Sequence, residues 1–416
     1  MRALVFRRKP VRFAAAVAAG RLAPGGGASV GPLRHEDLDP PALPGPGWVH
    51  ISPRLAGICG SDLATVDGRS SRWFEPVVSF PFVPGHEVVA DVADPAAAEA
   101  AGAPSGRVVL EPVLGCVARA INPVCPACAR GDLGNCERIT FGAIAPGLQS
   151  GFCCDTGGGW STSMVAHASQ LHAVPDTMTD EDAVMVEPTA CAVHAVLATP
   201  IAPGATVVVL GAGTLGLLCV AAVRQLTSAG RIVAVAKHPT QRRWAADLGA
   251  DVVAEPDELA RAVRRVTGTL AVGDGDIDRL AGGADVLFDC VGSSESLTGA
   301  LGVTRPRGRI TLVGMAGHTR VDLTGLWQRE IELVGAYAYG TETLADGTRR
   351  RTFDVAFELV AAAGLGRLVS ATYPLERYRE AISHAAEAGS RGAVKVAFDL
   401  RRRPPAPIPP TEPGAP

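Results

Sequence analysis

The stretch CVARAINPVCPACARGDLGNC sets Cys116, Cys125, Cys128 and Cys136 in a segment broken by glycine and proline. Four thiols so close together can form disulfides, a redox pair or a metal site. A second grouping lies in GICGSD and PGHEV, which offer Cys59 and the neighbours His86 and Glu87. Thiolate, imidazole and carboxylate are ligand types of a catalytic zinc that keeps one coordination position open. Glu187, in VEPTA at the start of a predicted helix, is a further carboxylate that could ligate such an ion or reach it through water. Each residue alone is as well explained by packing, so the case rests on their occurring together with a nucleotide site.

That site is VVVLGAGTLGLL, where Gly211, Gly213 and Gly216, with Thr214 and Leu215 between the last two, follow a β-branched strand and precede an apolar helix. The first glycine permits the tight turn, the second lets a pyrophosphate approach the backbone, and the third lets helix pack on strand. The following strand, RIVAVA, decides which nicotinamide cofactor fits. An NAD site expects an acid at its end to bind the ribose 2′-hydroxyl. Here Ala236 is followed by Lys237 and His238, with Arg242 and Arg243 one turn on. Lys237 and Arg242 can grip a 2′-phosphate, which favours NADP(H).

These residues need elements to position them. A chain of 416 residues exceeds one ordinary core, so two domains are expected. Residues 1 to 175 carry short β-like runs (WVHISPRLAGI, HEVVADV, GRVVLEPV) between proline and glycine turns, the texture of a barrel-like domain. From about residue 181 helices and strands alternate, as in an open parallel sheet wound on both faces. Two more helical stretches and the strand AVKVAFDL close the chain, placed to return to the first domain. The last stretch, RRRPPAPIPPTEPGAP, is expected to be a disordered tail.

A net charge of −3 gives no electrostatic case for nucleic acid, so a small-molecule substrate is expected. No window approaches the roughly 20 apolar residues of a membrane span. Basic residues and then an apolar patch at the start superficially suggest an export signal, but MRALVF reads as a strand and FAAAVAA is barely long enough. A soluble cytoplasmic protein is expected, in a reducing compartment where cysteines serve as metal ligands or buried thiols. Cys153 and Cys154 are read as ordinary thiols, and Cys191, Cys219 and Cys290 as core.

GICGSD, PGHEV, the CPACARGDLGNC loop, GGWSTSMVAH, VEPTACAVHA, GAGTLG, FDCVG and GRITLVG occur in the order seen in zinc-dependent medium-chain dehydrogenases/reductases. The chain resembles most the branch with sorbitol, threonine and glucose dehydrogenases, from residue 1 to about 400. The resemblance implies an α/β fold: a GroES-like catalytic domain (1–180, with a structural-zinc lobe at 111–140), interrupted by a Rossmann domain (181–335) and completed by 336–400, with the tail at 401–416. It implies two zincs per chain and a homodimer or homotetramer. Cys125, Cys128 and Cys136 match the spacing of the family's structural-zinc lobe, whereas Cys116 stands nine positions before Cys125, as though six residues were inserted. It still follows LEP, where the family's first ligand falls, so a looped-out site of four thiolates is expected. Four thiolates leave the ion no open position, so this site shapes a loop and performs no catalysis.

For the other zinc, held by Cys59, His86 and Glu87 or Glu187, the resemblance implies oxidation of an alcohol to a carbonyl, with the ion polarising the substrate oxygen and hydride passing to the nicotinamide. Ser61 resembles the hydroxyl that begins proton removal. Many relatives continue C-G-S/T-D-x-H with a relaying histidine, but here the position is Ala64. Asp62 is expected at most to brace the loop. The loops DGRSSRWFEPVVSF and GAYAYGTETLADG are expected to shape the substrate pocket, with Trp73, Phe74 and Tyr337 as apolar walls. Two other readings stay open: a reductase of an activated C=C or C=N bond on the same fold, and a non-catalytic NADP-binding protein.

Overall fold

The computed structural model describes residues 1–272 and 279–401. All but the first residue of the expected disordered tail therefore lies outside the described residues. The first part of the chain forms β1 (Arg2–Phe6), β2 (Leu33–Asp37), β3 (Trp48–Gly57), β4 (Val88–Val92), β5 (Arg107–Leu110), β6 (Met164–His167) and β7 (Leu171–Ala173). The middle supplies β8 (Thr206–Leu210), β9 (Arg231–Val235), β10 (Val252–Ala254), β11 (Ala284–Asp289), β12 (Thr304–Leu312) and β13 (Glu332–Gly335). The last part adds β14 (Thr341–Thr343), β15 (Arg349–Arg351), β16 (Val369–Tyr373) and β17 (Lys395–Asp399).

Strands from both ends of the chain share one sheet, ordered β16-β17-β3-β4-β5-β7 with β6 on β3. The second sheet, β10-β9-β8-β11-β12-β13, is parallel throughout. Its central strands, TVVVL, RIVAV and ADVLFD, are near-continuous apolar runs because helices cover both faces. The helices Val186–Leu197, Thr214–Leu226 and Thr352–Ala363 pack into one core that also reaches Leu55 and Val109 of the first sheet, tying the two units together. No helix among the described residues is long and apolar enough to cross a membrane.

One departure from the expected strand-rich start is the helix Pro10–Leu22 between β1 and β2. The run FAAAVAA is alanine-rich, and alanine has the highest helix propensity. The helix is weakly amphipathic and buries only Ala16 among its thirteen residues, so apolar periodicity gave no sign of it.

The four-cysteine lobe is held by Arg119, which lies in the insertion and is fully buried. Its guanidinium donates to the carbonyls of Leu114, Phe141, Ile144, Ala145 and Gly147. Substituting Arg119→Met is expected to cost at least about 3 kcal/mol, because those buried carbonyls lose a charged donor together. An unfolding free energy within about 1 kcal/mol of wild type on chemical denaturation would contradict this role.

Candidate active site and metal centres

The catalytic grouping forms where three strand ends meet. β3 runs out at Gly57, and Cys59 then caps the helix Gly60–Val66. The cap is reciprocal: the Cys59 side chain accepts from the Asp62 backbone, and Cys59 N–H donates to Asp62 Oδ2 at 3.0 Å. His86 and Glu87 immediately precede β4, and Gly57 N–H donates to the Glu87 carbonyl at 2.8 Å. Gly57 must be glycine, since a Cβ there would stand 1.8 Å from Glu87 Oε2. One ligand atom from each of Cys59, His86 and Glu87 lies within 4.8 Å of the others.

Asp62 does more than brace its own turn. Its Oδ1 is 3.5 Å from His86 Nδ1, and both atoms are buried without another hydrogen-bond partner. A carboxylate on the far nitrogen of a metal-ligating imidazole is the usual means of fixing ring orientation. Burial works against charge on the imidazole, but Asp62 and Cys59 prevail and hold the His86 pKa well above the ordinary value. A thiol, an imidazole and a carboxylate with their ligand atoms within 4.8 Å of one another fit a divalent zinc-type ion.

Glu187 stands outside this group of three. Its Oε1 accepts from Tyr339 Oη at 3.1 Å and faces Cys191 Sγ at 3.8 Å, so a place for it as a direct ligand alongside the other three is not what the geometry provides. Burial pushes its carboxyl up to about 7, with Glu87 adding and His86, Tyr339 and Lys395 opposing.

Lys395, at the start of β17, was not among the sequence candidates. It is 2% exposed, and its ammonium rests against the Glu87 carboxylate and within 3.4 Å of the Ile58 carbonyl. Burial opposes its charge, yet Glu87 and Cys59 overcome this and raise its pKa. The side chain lies 308 positions from Glu87, so no local pattern could have shown it.

The second centre brings Cys116, Cys125, Cys128 and Cys136 within the same 4.8 Å. Cys116 and Cys136 sulfurs are 3.7 Å apart, close to the roughly 3.8 Å that tetrahedral thiolates at a zinc–sulfur distance of about 2.3 Å require. The insertion after Cys116 folds back on itself, Arg119 and Ile121 N–H both donating to the Cys116 carbonyl, so the first sulfur still reaches the other three. Burial tends to raise the Cys125 thiol, but N–H donors from Cys128 and Glu137 bring it down to about 7, whereas burial pushes Cys136 up to about 11 and raises Cys128 as well. All ten cysteines are free thiols, Cys153 and Cys154 included.

A cavity of about 1460 Å³ joins the first centre to the glycine-rich turn. Ser61, Glu187, Gly213, Thr214, Leu215 and Gly216 share its walls with the three clustered residues. Gly216 packs so closely that a Cβ would sit 1.8 Å from the Gly211 carbonyl, the helix-on-strand contact that the motif implies. At the end of β9, Lys237 is exposed, and His238 packs against Gly389. Arg242 donates to the carbonyls of Ala236 and Lys237 and pairs with Glu255 at 3.2 Å. Glu255 follows β10, so the sequence reading, confined to one strand end, did not include this acid. Phe74 and Tyr337 line the cavity, whereas Trp73 is 85% exposed and does not. The hairpin of β14 and β15 lies against the four-cysteine lobe, through Arg349 and the Arg130 carbonyl, and is no part of the cavity wall.

Two family models match the chain in tandem: alcohol dehydrogenase GroES-like domain over residues 45–176 and zinc-binding dehydrogenase over residues 214–362. L-idonate 5-dehydrogenase of Vitis vinifera is 28% identical over 373 residues, covering 87% of this chain and 91% of that protein. Sorbitol dehydrogenase of Arabidopsis thaliana is 28% identical over 375 residues, covering 87% and 92%. Among solved structures, L-idonate 5-dehydrogenase from Escherichia coli str. K-12 substr. MG1655 is similar with a TM-score of 0.63 and 25% identity, covering 88% of this chain and 94% of that one.

Replacing Lys395 by methionine strands a buried carboxylate. Lys395→Met is expected to lower the unfolding free energy of zinc-free protein by about 3–5 kcal/mol, with Lys395→Arg recovering much of the loss. A change below about 1 kcal/mol on chemical denaturation would show that the pair is not needed.

Proposed function

The chain belongs to the zinc-dependent medium-chain alcohol dehydrogenase family, and we propose that it interconverts an alcohol and a ketone or aldehyde by hydride transfer with NADP(H). The observation that carries this reading is the opening of the Cys59–His86–Glu87 group and of Gly213 to Gly216 onto one cavity. Zinc held by the three clustered residues supplies a Lewis acid for the substrate oxygen. Four thiolates hold the second zinc and leave it no substrate position.

The chain's own groups orient and move the proton. Ser61, on the cavity wall two residues beyond Cys59, takes the hydrogen bond from the alcohol. Ala64 leaves no imidazole to carry the proton outward. The Thr65 hydroxyl donates to the Ser61 backbone carbonyl and lies 3.0 Å from the Ser70 hydroxyl, so the proton leaves Ser61 directly to water in the cavity. Asp62 keeps His86 oriented, and Lys395 holds the Glu87 carboxylate in place.

The preference for NADP(H) rests on Lys237, exposed and free of ion pairs among the described residues, at the end of a strand that supplies no acid. Arg242 stands beside it, shared with Glu255. A homo-oligomer is supported by β13, an edge strand whose Leu333 and Val334 are each 42% exposed.

In steady-state assays of the zinc-loaded protein with secondary alcohols and ketones, NADP(H) is expected to give the lower KM. Lys237→Glu should raise KM for NADP⁺ about ten- to hundredfold and leave that for NAD⁺ unchanged or lower. Equal KM values for the two cofactors in the wild type would contradict the preference. No hydride transfer with any alcohol or carbonyl would contradict the function.

A further inference from the structure

The wall of the cavity is built from phenylalanine to an unusual degree. Starting at the imidazole of His86, ring centroids step to Phe152 at 6.0 Å, to Phe82 at 5.3 Å and to Phe6 at 5.1 Å. Phe80 flanks this path, 5.3 Å from Phe82 and 6.3 Å from Phe6. Phe13, on the helix Pro10–Leu22, adds a ring at the rim. Phe152, Phe82 and Phe6, 8%, 2% and 4% exposed, thus form a packed aromatic backing from the metal-ligating imidazole to the end of β1, and Phe80 and Phe13, 36% and 42% exposed, present open ring surface on the same wall. Rings cannot accept the hydrogen bonds that a chain of hydroxyls loses on leaving water, so this surface suits an apolar body.

The path ends at a cationic rim. β1 continues directly into Arg7, Arg8 and Lys9, all lining the cavity, and Arg69 and Arg72 face it from the loop after the helix Gly60–Val66. Three of these have acids of their own: Arg7 pairs with Glu36 at 2.6 Å, Arg72 with Glu75 at 3.2 Å, and Arg69 lies 3.6 Å from Asp67. Arg8 and Lys9 make no side-chain hydrogen bond or ion pair among the described residues; Lys9 lies near Glu36, which Arg7 already engages. Lys9 is also the N-cap of the helix Pro10–Leu22, whose first turn contains no acid. The free N–H groups there add positive potential to the same rim.

Resting on the alcohol–carbonyl reading above, we infer that the substrate is amphipathic: its alcohol or carbonyl meets the zinc site, an apolar alkyl or aryl body lies along the wall that Phe80 and Phe13 face and Phe152, Phe82 and Phe6 back, and a carboxylate or phosphate at its far end meets Arg8 and Lys9. A small neutral polyol satisfies neither the aromatic path nor the rim.

The test compares 10-oxoundecanoate, its methyl ester and sorbitol with the zinc-loaded full-length protein. The keto acid is expected to show a KM at least tenfold below that of its ester, and to lose this advantage as salt is raised, since exposed charges are screened. In the double variant Arg8→Gln/Lys9→Gln, KM for the acid should rise to that of the ester. Equal KM values for acid and ester in the wild type, an acid preference that survives in the double variant, or sorbitol as the best of the three would each overturn the proposal. Calorimetric titration in the presence of NADP⁺, beside turnover assays of the ketones with NADPH, separates the two layers. Tighter binding of acid than ester without turnover of either would support the amphipathic site and overturn the oxidoreductase reading alone.

Discussion

The site depends on how charge is disposed among side chains that are themselves buried. Asp62, Glu87 and Glu187 are 0%, 1% and 4% exposed, Cys59 stands among them, and Lys395 is the one lysine in contact. Buried charges cost several kcal/mol each unless paired and hydrogen-bonded. Asp62 meets this through the Cys59 N–H and the edge of His86, and Glu87 through Lys395. Cys59 faces the same Lys395 ammonium and His86 ring, and a divalent ion between Cys59, His86 and Glu87 would complete the balance. Metal binding, the ordering of His86 and the folding of the β3 terminus are thus parts of one electrostatic arrangement.

The four-cysteine lobe joins this arrangement from outside. Gly134, within the lobe, donates to the Tyr339 carbonyl at 3.4 Å, and Tyr339 Oη donates to Glu187. On the neighbouring hairpin, Glu342 accepts from His194, on the helix that begins with Glu187. A zinc held by the four thiolates would therefore act on the proposed chemistry only by fixing the loop against which the wall of the cavity is set. Arg119 converts the inserted residues from a disturbance into a plug, since its donors occupy carbonyls that the longer loop would leave unpaired.

Much of this could be read in the sequence. Cys59, His86 and Glu87 stand at strand ends flagged by glycine and proline, and the glycine triplet sits between a β-branched strand and an apolar helix, so local chemistry and local structure point the same way. What escaped notice was non-local or unpatterned. Lys395 looks like the polar start of a strand until β17 is laid beside β3. Glu255 meets Arg242 only because β10 pairs with β9. The helix Pro10–Leu22 buries too little to carry a periodic signal, and its effect is to set Phe13 and the basic residues before it over the cavity. Asp62 and Tyr339 act through another residue, a relation that spacing along a chain does not encode.

The central claim is that Cys59, His86 and Glu87 converge on a metal ion within reach of the nicotinamide site. The most direct measurement is anomalous diffraction at the zinc edge from crystals of the zinc-loaded protein, beside its Cys59→Ser variant. The account predicts one peak enclosed by Cys116, Cys125, Cys128 and Cys136 in both proteins, and a second between Cys59, His86 and Glu87 that is lost or strongly weakened in the variant. A wild-type map with no peak between those three side chains would contradict it.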